Sequence, residues 1–193
     1  MKQKIKTFSL FSGVGGFELG LDDRFEVIGF SEIDPYASGI YEFQFAGADN
    51  YGDITKIRIE ELPDFDLLIG GSPCQSFSIG GKRTGLSGQS GLFYYFLKTL
   101  QLKQPRYFVW ENVAGTLSST DGWDFAYVQM GMDKAGYNIR WELLNSKHFG
   151  IPQDRERIFI VGFLRGCDGP PILFDPRISE NLAAEKQGIR FLF

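Results

Sequence analysis

Cysteine and histidine are nearly missing from this 193-residue chain, which has two of the first and one of the second. Two cysteines, Cys74 and Cys167, make no disulfide framework, and neither lies in a Cys-x-x-Cys pair, so no metal site is expected. With His148 as the single histidine, catalysis by a Ser-His-Asp or Cys-His pair is not expected either. Such sparing cysteine use fits a reducing setting, and the cytoplasm is the expected location. No apolar run approaches the ~20 residues that span a bilayer. The opening MKQKIKTFSLFSG turns to Gly and Ser too soon for a signal-peptide core, so no membrane partner is expected. Positive charge is also short, with 20 Lys and Arg against 24 Asp and Glu and no basic arm or tail. Net charge alone therefore argues against a nucleic-acid partner.

What remains is an ordinary globular composition, 43% hydrophobic and 16% aromatic, long enough for one good core. Short apolar runs alternate with amphipathic stretches. The pattern predicts strands at residues 4–10, 26–31, 66–69, 107–110, 138–144 and 157–164. Helices are predicted from 17–21 onward and at 35–45, 92–102 and 123–135, the last ended by Gly136. Strands alternating with helices imply an α/β fold, a mostly parallel sheet with helices on both faces. Ligands bind such sheets beyond the carboxyl ends of their strands.

The residues that follow the strands fit that rule. The first strand runs into Phe11-Ser12-Gly13-Val14-Gly15-Gly16-Phe17-Glu18, where glycines permit a tight turn and close approach to a ligand. A dinucleotide fingerprint needs a third glycine where Glu18 stands, and a pyrophosphate beside that carboxylate would be repelled. Glu32 follows the second strand, where an acid can accept from both ribose hydroxyls. Together they suggest a nucleoside-type cofactor without phosphates. Asp53 could accept from an adenine amino group or simply cap a turn, with even odds between the two.

Cys74 lies beyond a core strand, after Pro73 and before a Gly/Ser-rich segment that suits a flap. A thiol in that setting is presented rather than packed, whereas Cys167 has no comparable surroundings and reads as structural. Glu111-Asn112-Val113 follows a strand on the same side as Cys74. Arg155 and Arg157, two apart in an extended segment, point the same way and can both face the site.

In that order the glycine loop, Glu32, Pro73-Cys74-Gln75, Glu111-Asn112-Val113 and Gln153-Asp154-Arg155-Glu156-Arg157 resemble the cytosine-C5 DNA methyltransferase family, over about residues 7–164. The resemblance implies a Rossmann-like fold and S-adenosylmethionine as methyl donor. Phe11, Gly13, Gly15, Gly16 and Pro73 would line its pocket, Glu32 would hold the ribose, and Asp53 with Ile54 the adenine. The acceptor would be a cytosine flipped out of double-stranded DNA. Cys74 would add to C6, a protonated Glu111 would donate to N3, and Arg157, with Arg155 beside it, would contact O2. Gln75, Ser78, Lys82, Arg83 and Asn112 would contact the base and its backbone.

Relatives in the family continue past the arginine motif into a target-recognition region and return through a Gly-Asn-containing segment. No Gly-Asn dipeptide occurs here. The expected organisation is a catalytic domain at 1–164 with an extension at 165–193, truncated relative to the family. The chain would be one subunit of a split enzyme whose second polypeptide reads the DNA, a truncated gene product or an unusually small member. Two further readings stay open: a non-catalytic remnant that binds cofactor or a partner, and a tRNA cytosine methyltransferase.

Overall fold

Seven strands in the order β3-β2-β1-β4-β5-β7-β6 form a single sheet in the computed structural model, which describes residues 3–73 and 91–167. The strands are β1 (Ile5–Leu10), β2 (Phe25–Ser31), β3 (Asp49–Asn50), β4 (Leu67–Gly70), β5 (Tyr107–Val113), β6 (Tyr137–Asn145) and β7 (Glu156–Leu164). The helices are α1 (Pro35–Gln44), α2 (Leu92–Lys103) and α3 (Trp123–Lys134). From β1 the chain winds outward to β2 and β3, then returns to place β4 on the other side of β1. β1 and β4 thus flank the point where winding reverses. The pairings β3–β2, β2–β1, β1–β4 and β4–β5 are all parallel, and β7 alone runs the other way, antiparallel to both β5 and β6.

Alternation along the strands divides the core in two. Phe8, Leu10, Leu68, Phe108, Trp110, Ile158 and Ile160 face α2 and α3, whose Phe93, Phe96, Leu100, Val128 and Met132 complete the larger cluster. Leu67, Ile69, Val109 and Val161 face the other way, with Phe17 and Leu21 packed against them. On β2, Phe30 stacks on Tyr41 of α1 with ring centroids 3.9 Å apart. Each helix begins and ends where local chemistry requires. Asp34 caps α1 by accepting from the N–H groups of Tyr36 and Ala37, with Pro35 in the first turn. Gln104, at φ 45°, closes α2 just before Pro105.

The expected elements are present, with three differences. The helix predicted from residue 17 is a single 3-10 turn, Glu18–Gly20. Asp22 stops it by accepting from the backbone N–H of Arg24 at 3.0 Å, which turns the chain into β2. The strand predicted at 107–110 continues to Val113, because β7 supplies ladder partners for Glu111, Asn112 and Val113. A two-residue β3 was not predicted at all. None of the described helices is long and apolar enough to cross a membrane.

Gly162 of β7 tests how tightly the larger core is closed. A Cβ there would lie 2.1 Å from the ring of Phe108, which has no exposure and nowhere to retreat. Gly162→Ala should therefore destabilise the fold by about 2 kcal/mol, read as a lower urea midpoint at unchanged slope. An unchanged midpoint would show that the sheet yields more easily than its packing implies.

Candidate active site

The carboxyl ends of β1, β2, β4 and β5 share one edge of the sheet, and the reversed β7 brings its first residues to the same edge. The glycine loop leaves β1 there. Phe11 and Gly13 both adopt left-handed backbone, at φ 57° and 56°, and Gly15 has φ 90°. Gly15 must be glycine, since a Cβ would lie 2.3 Å from the ring of Phe45. A Cβ on Gly13 or Gly16 would meet no atom of the described residues within 4 Å, so both border space those residues leave open.

Glu32 joins this loop directly. Its Oε2 accepts from the Gly13 N–H at 2.8 Å, and its Oε1 accepts from Ile33 N–H and Asp34 N–H, each at 2.8 Å. Three of roughly four acceptor positions on the carboxylate are thus used by backbone donors, which fix its orientation and leave capacity for a hydroxyl. Asp53 behaves as a turn residue. Its Oδ1 accepts from the N–H and hydroxyl of Thr55, and these bonds hold the carboxyl below its usual range. Ile54 is 3% exposed and belongs to the larger core.

Glu18 corrects the argument made for it from sequence. Its carboxyl does not face the ligand side of the loop; it is buried and accepts from the hydroxyl of Tyr41 at 2.8 Å. The acid that would repel a phosphate at this loop is Glu32, which meets Gly13 N–H itself.

At the centre of the edge, Glu111 and Arg157 lie diagonally across the β5–β7 ladder, and Arg157 Nε meets Glu111 Oε1 at 2.8 Å. Burial pushes the Glu111 carboxyl above its ordinary value, while Arg157 and then Arg155 pull it back only in part. Gly71 makes room for it, since a Cβ at that position would lie 2.7 Å from Glu111 Oε2. Arg155 is exposed, in the turn before β7, where its carbonyl accepts from Ser146 N–H. Asn145 and Asp154 brace that turn through a 2.5 Å hydrogen bond.

Ser72 and Trp110 are contributors that sequence reasoning missed. Ser72 is 3% exposed, and its hydroxyl accepts from Trp110 Nε1 at 3.2 Å. Asn112, itself 3% exposed, donates its amide to the Ser72 carbonyl at 3.1 Å and accepts from Val113 N–H at 2.9 Å. The side chain of Asn112 is therefore engaged inside the protein, on the face opposite Glu111. Ser72 and exposed Pro73 lead toward Cys74, which with Gln75, Ser78, Lys82 and Arg83 lies outside the described residues. Cys167 is exposed after β7, with no part in this edge.

A model of the family described as C-5 cytosine-specific DNA methylase matches residues 5–188. The chain is 48% identical over 166 residues to the orphan methyltransferase M.Rho11sI of Bacillus phage rho11s, covering 82% of this chain and 33% of that protein. It is 41% identical over 168 residues to the type II methyltransferase M.HaeII of Haemophilus aegyptius, covering 84% of this chain and 51% of that one. Among solved structures, the Dnmt2 methyltransferase of S. pombe superposes with a TM-score of 0.69 at 24% identity, over 86% of this chain and 53% of that one. The likeness bears out the expected Rossmann-like methyltransferase fold. The chain spans about a third to a half of the length of these proteins.

The Glu111–Arg157 pair gives a direct electrostatic prediction. Arg157→Met keeps much of the side chain and removes its charge, so burial acts on Glu111 with less opposition and its carboxyl titrates higher than in the parent. A 13C titration of labelled glutamate would read this, and an unchanged or lower value would contradict the account.

Proposed function

The chain belongs to the C-5 cytosine-specific DNA methylase family, and from that premise we propose that it carries the chemistry of methyl transfer to C5 of cytosine in double-stranded DNA. The observation that carries the reading is Glu111, a half-buried carboxyl raised by desolvation on the same sheet edge as the glycine loop and Glu32. Cytosine C5 is a weak nucleophile. With the base flipped out of the duplex, the Cys74 thiolate bonds to C6, and the displaced electron pair moves toward N3. Glu111, protonated, donates to N3 and leaves C5 as the nucleophilic carbon of an enamine. Arg157, whose Nε stands 2.8 Å from Glu111 Oε1, reaches O2 of the base with Arg155 beside it. S-adenosylmethionine, when bound, supplies the methyl group as an electrophile. Loss of the C5 proton to a water molecule then re-forms the C5–C6 double bond and expels the Cys74 thiolate from C6, and N3 returns its proton to the Glu111 carboxylate.

The residues present suit that cofactor. Gly13 and Gly16 border space the described residues leave open, where Phe11 and Pro73 would line the pocket, Glu32 retains acceptor capacity for a ribose hydroxyl, and its charge disfavours a phosphate. Asp53 and Ile54 serve the adenine end through the turn they build rather than through a free carboxylate. In this reading Asn112 acts on the loop through Ser72, while Gln75, Ser78, Lys82 and Arg83 contact the DNA. Residues 1–164 form the catalytic domain, and the part that reads DNA sequence comes from outside them, on further chain or a second polypeptide.

Methyl incorporation from tritiated cofactor into cytosine-containing duplex tests the proposal, with and without the polypeptide encoded next to this chain. Cys74→Ala should abolish incorporation, and Glu111→Gln should lower it by roughly 10²–10⁴-fold. Failure of the parent in every combination would end the catalytic reading. The cofactor reading has its own test. Gly16→Ala has room in the protein and ordinary backbone, so its melting temperature should match the parent. Its added methyl enters the ligand's space, so the Kd for S-adenosylmethionine in calorimetry should rise about tenfold or more. An unaltered Kd would place the cofactor elsewhere.

A further inference from the structure

Glu18 is a buried acid that the proposed chemistry leaves unused. It is 4% exposed; Oε1 accepts from Tyr41 Oη at 2.8 Å, and Oε2 has no hydrogen-bond partner among the described residues. Ser9, 1% exposed on β1, lies beside the same carboxyl and draws its pKa down against the larger effect of burial, and it accepts from Ser12 Oγ at 2.9 Å. Four side chains, Ser12, Ser9, Glu18 and Tyr41, therefore form a polar line beneath the glycine loop, from its second residue to the middle of α1. That line lies against an apolar face, where a carboxyl costs far more than a hydrocarbon of the same size.

Both ends of the line touch strained or tight backbone. Ser12 stands between two left-handed residues, Phe11 and Gly13, and its carbonyl accepts from Gly15 N–H at 3.0 Å. A left-handed phenylalanine costs about 1 kcal/mol or more and persists only where its surroundings over-determine it. At the other end, Tyr41 packs against the space where a Gly15 side chain would stand, 3.2 Å from a built Cβ. α1 begins three residues after Glu32, whose carboxylate takes the Gly13 N–H. The loop and α1 are thus joined in front by Gly13 and Glu32, behind by Glu18, and at the helix end by Gln44, whose Nε2 donates to the Val14 carbonyl at 3.1 Å.

We propose that Glu18 is a positioning residue for the methyl donor: bonded to Tyr41 of α1 and set beside the Ser9–Ser12 pair, it holds the left-handed Phe11–Gly13 backbone against α1. The loop then presents Gly13 N–H to Glu32 before any ligand arrives. The inference rests on the S-adenosylmethionine reading for the ligand, but the backbone conformation it concerns is measurable without one.

Glu18→Leu removes the acceptor, and Glu18→Gln keeps an acceptor oxygen for Tyr41. In 15N-labelled full chain, Glu18→Leu should move the amide resonances of Gly13, Gly15 and Gly16 and leave those of β6 in place. It should also raise the Kd for S-adenosylhomocysteine about tenfold or more. Glu18→Gln should restore the loop resonances and bring the Kd to within about threefold of the parent. Loop resonances that stay put in Glu18→Leu, or move as far in Glu18→Gln, overturn the proposal. If Glu18→Leu does not fold, the single-hydroxyl variants Ser9→Ala and Tyr41→Phe take its place, and unmoved loop resonances in both overturn it equally. A parent that binds no S-adenosylhomocysteine refutes the cofactor reading, and the resonances alone then decide the positioning claim.

Discussion

Because β7 runs against β5, its first residues pair with the last residues of β5, and Arg157 lies diagonal to Glu111. A parallel strand in the same place would carry Arg157 to the far edge of the sheet, ~20 Å away over six residues. The reversal also extends β5 by supplying partners for Glu111, Asn112 and Val113, so the acid stands on a strand rather than on a loop. Alternation then divides those three residues between two tasks. Glu111 turns to the open side with Arg157, and Asn112 turns inward to hold Ser72.

The ion pair does not settle the protonation of Glu111 by itself. An arginine at 2.8 Å would ordinarily pull a carboxyl well down, yet burial outweighs it and the carboxyl stays above its ordinary value. That balance is what a donor to N3 requires. It also links to stability: a carboxyl raised in the folded state contributes stability that is complete below about 4.5. The contribution is lost as pH rises through the folded value, so a proton donor here costs stability at neutral pH.

Much of this edge was legible in the residue order. The glycine cluster after β1, an acid after β2, the acid on β5 and the paired arginines each follow from local chemistry at strand ends. What escaped was set by pairings distant in sequence. The reach of β5 depends on a strand more than forty residues later, and the short turn at Glu18–Gly20 depends on Asp22 and on Tyr41 drawing the glutamate inward. Ser72 and Trp110 carried no signal in sequence, because a buried serine beside an indole is unremarkable until the two strands bearing them are known to be neighbours. Asp53 was read as equally able to serve a ligand or a turn, and its bonds to Thr55 favour the turn.

Glu32 and Glu111 differ in what secures them, and the difference bears on how such a chain can drift. Among the described residues Glu111 is held by one side chain, so a change at Arg157 alters it at once. Glu32 is held by the main-chain N–H groups of Gly13, Ile33 and Asp34, which every residue except proline provides. Substitution at Ile33 or Asp34 therefore leaves the donors in place as long as the backbone keeps its course. The half of the edge proposed for the cofactor is insulated against mutation of its neighbours, and the half proposed for the base is exposed to it.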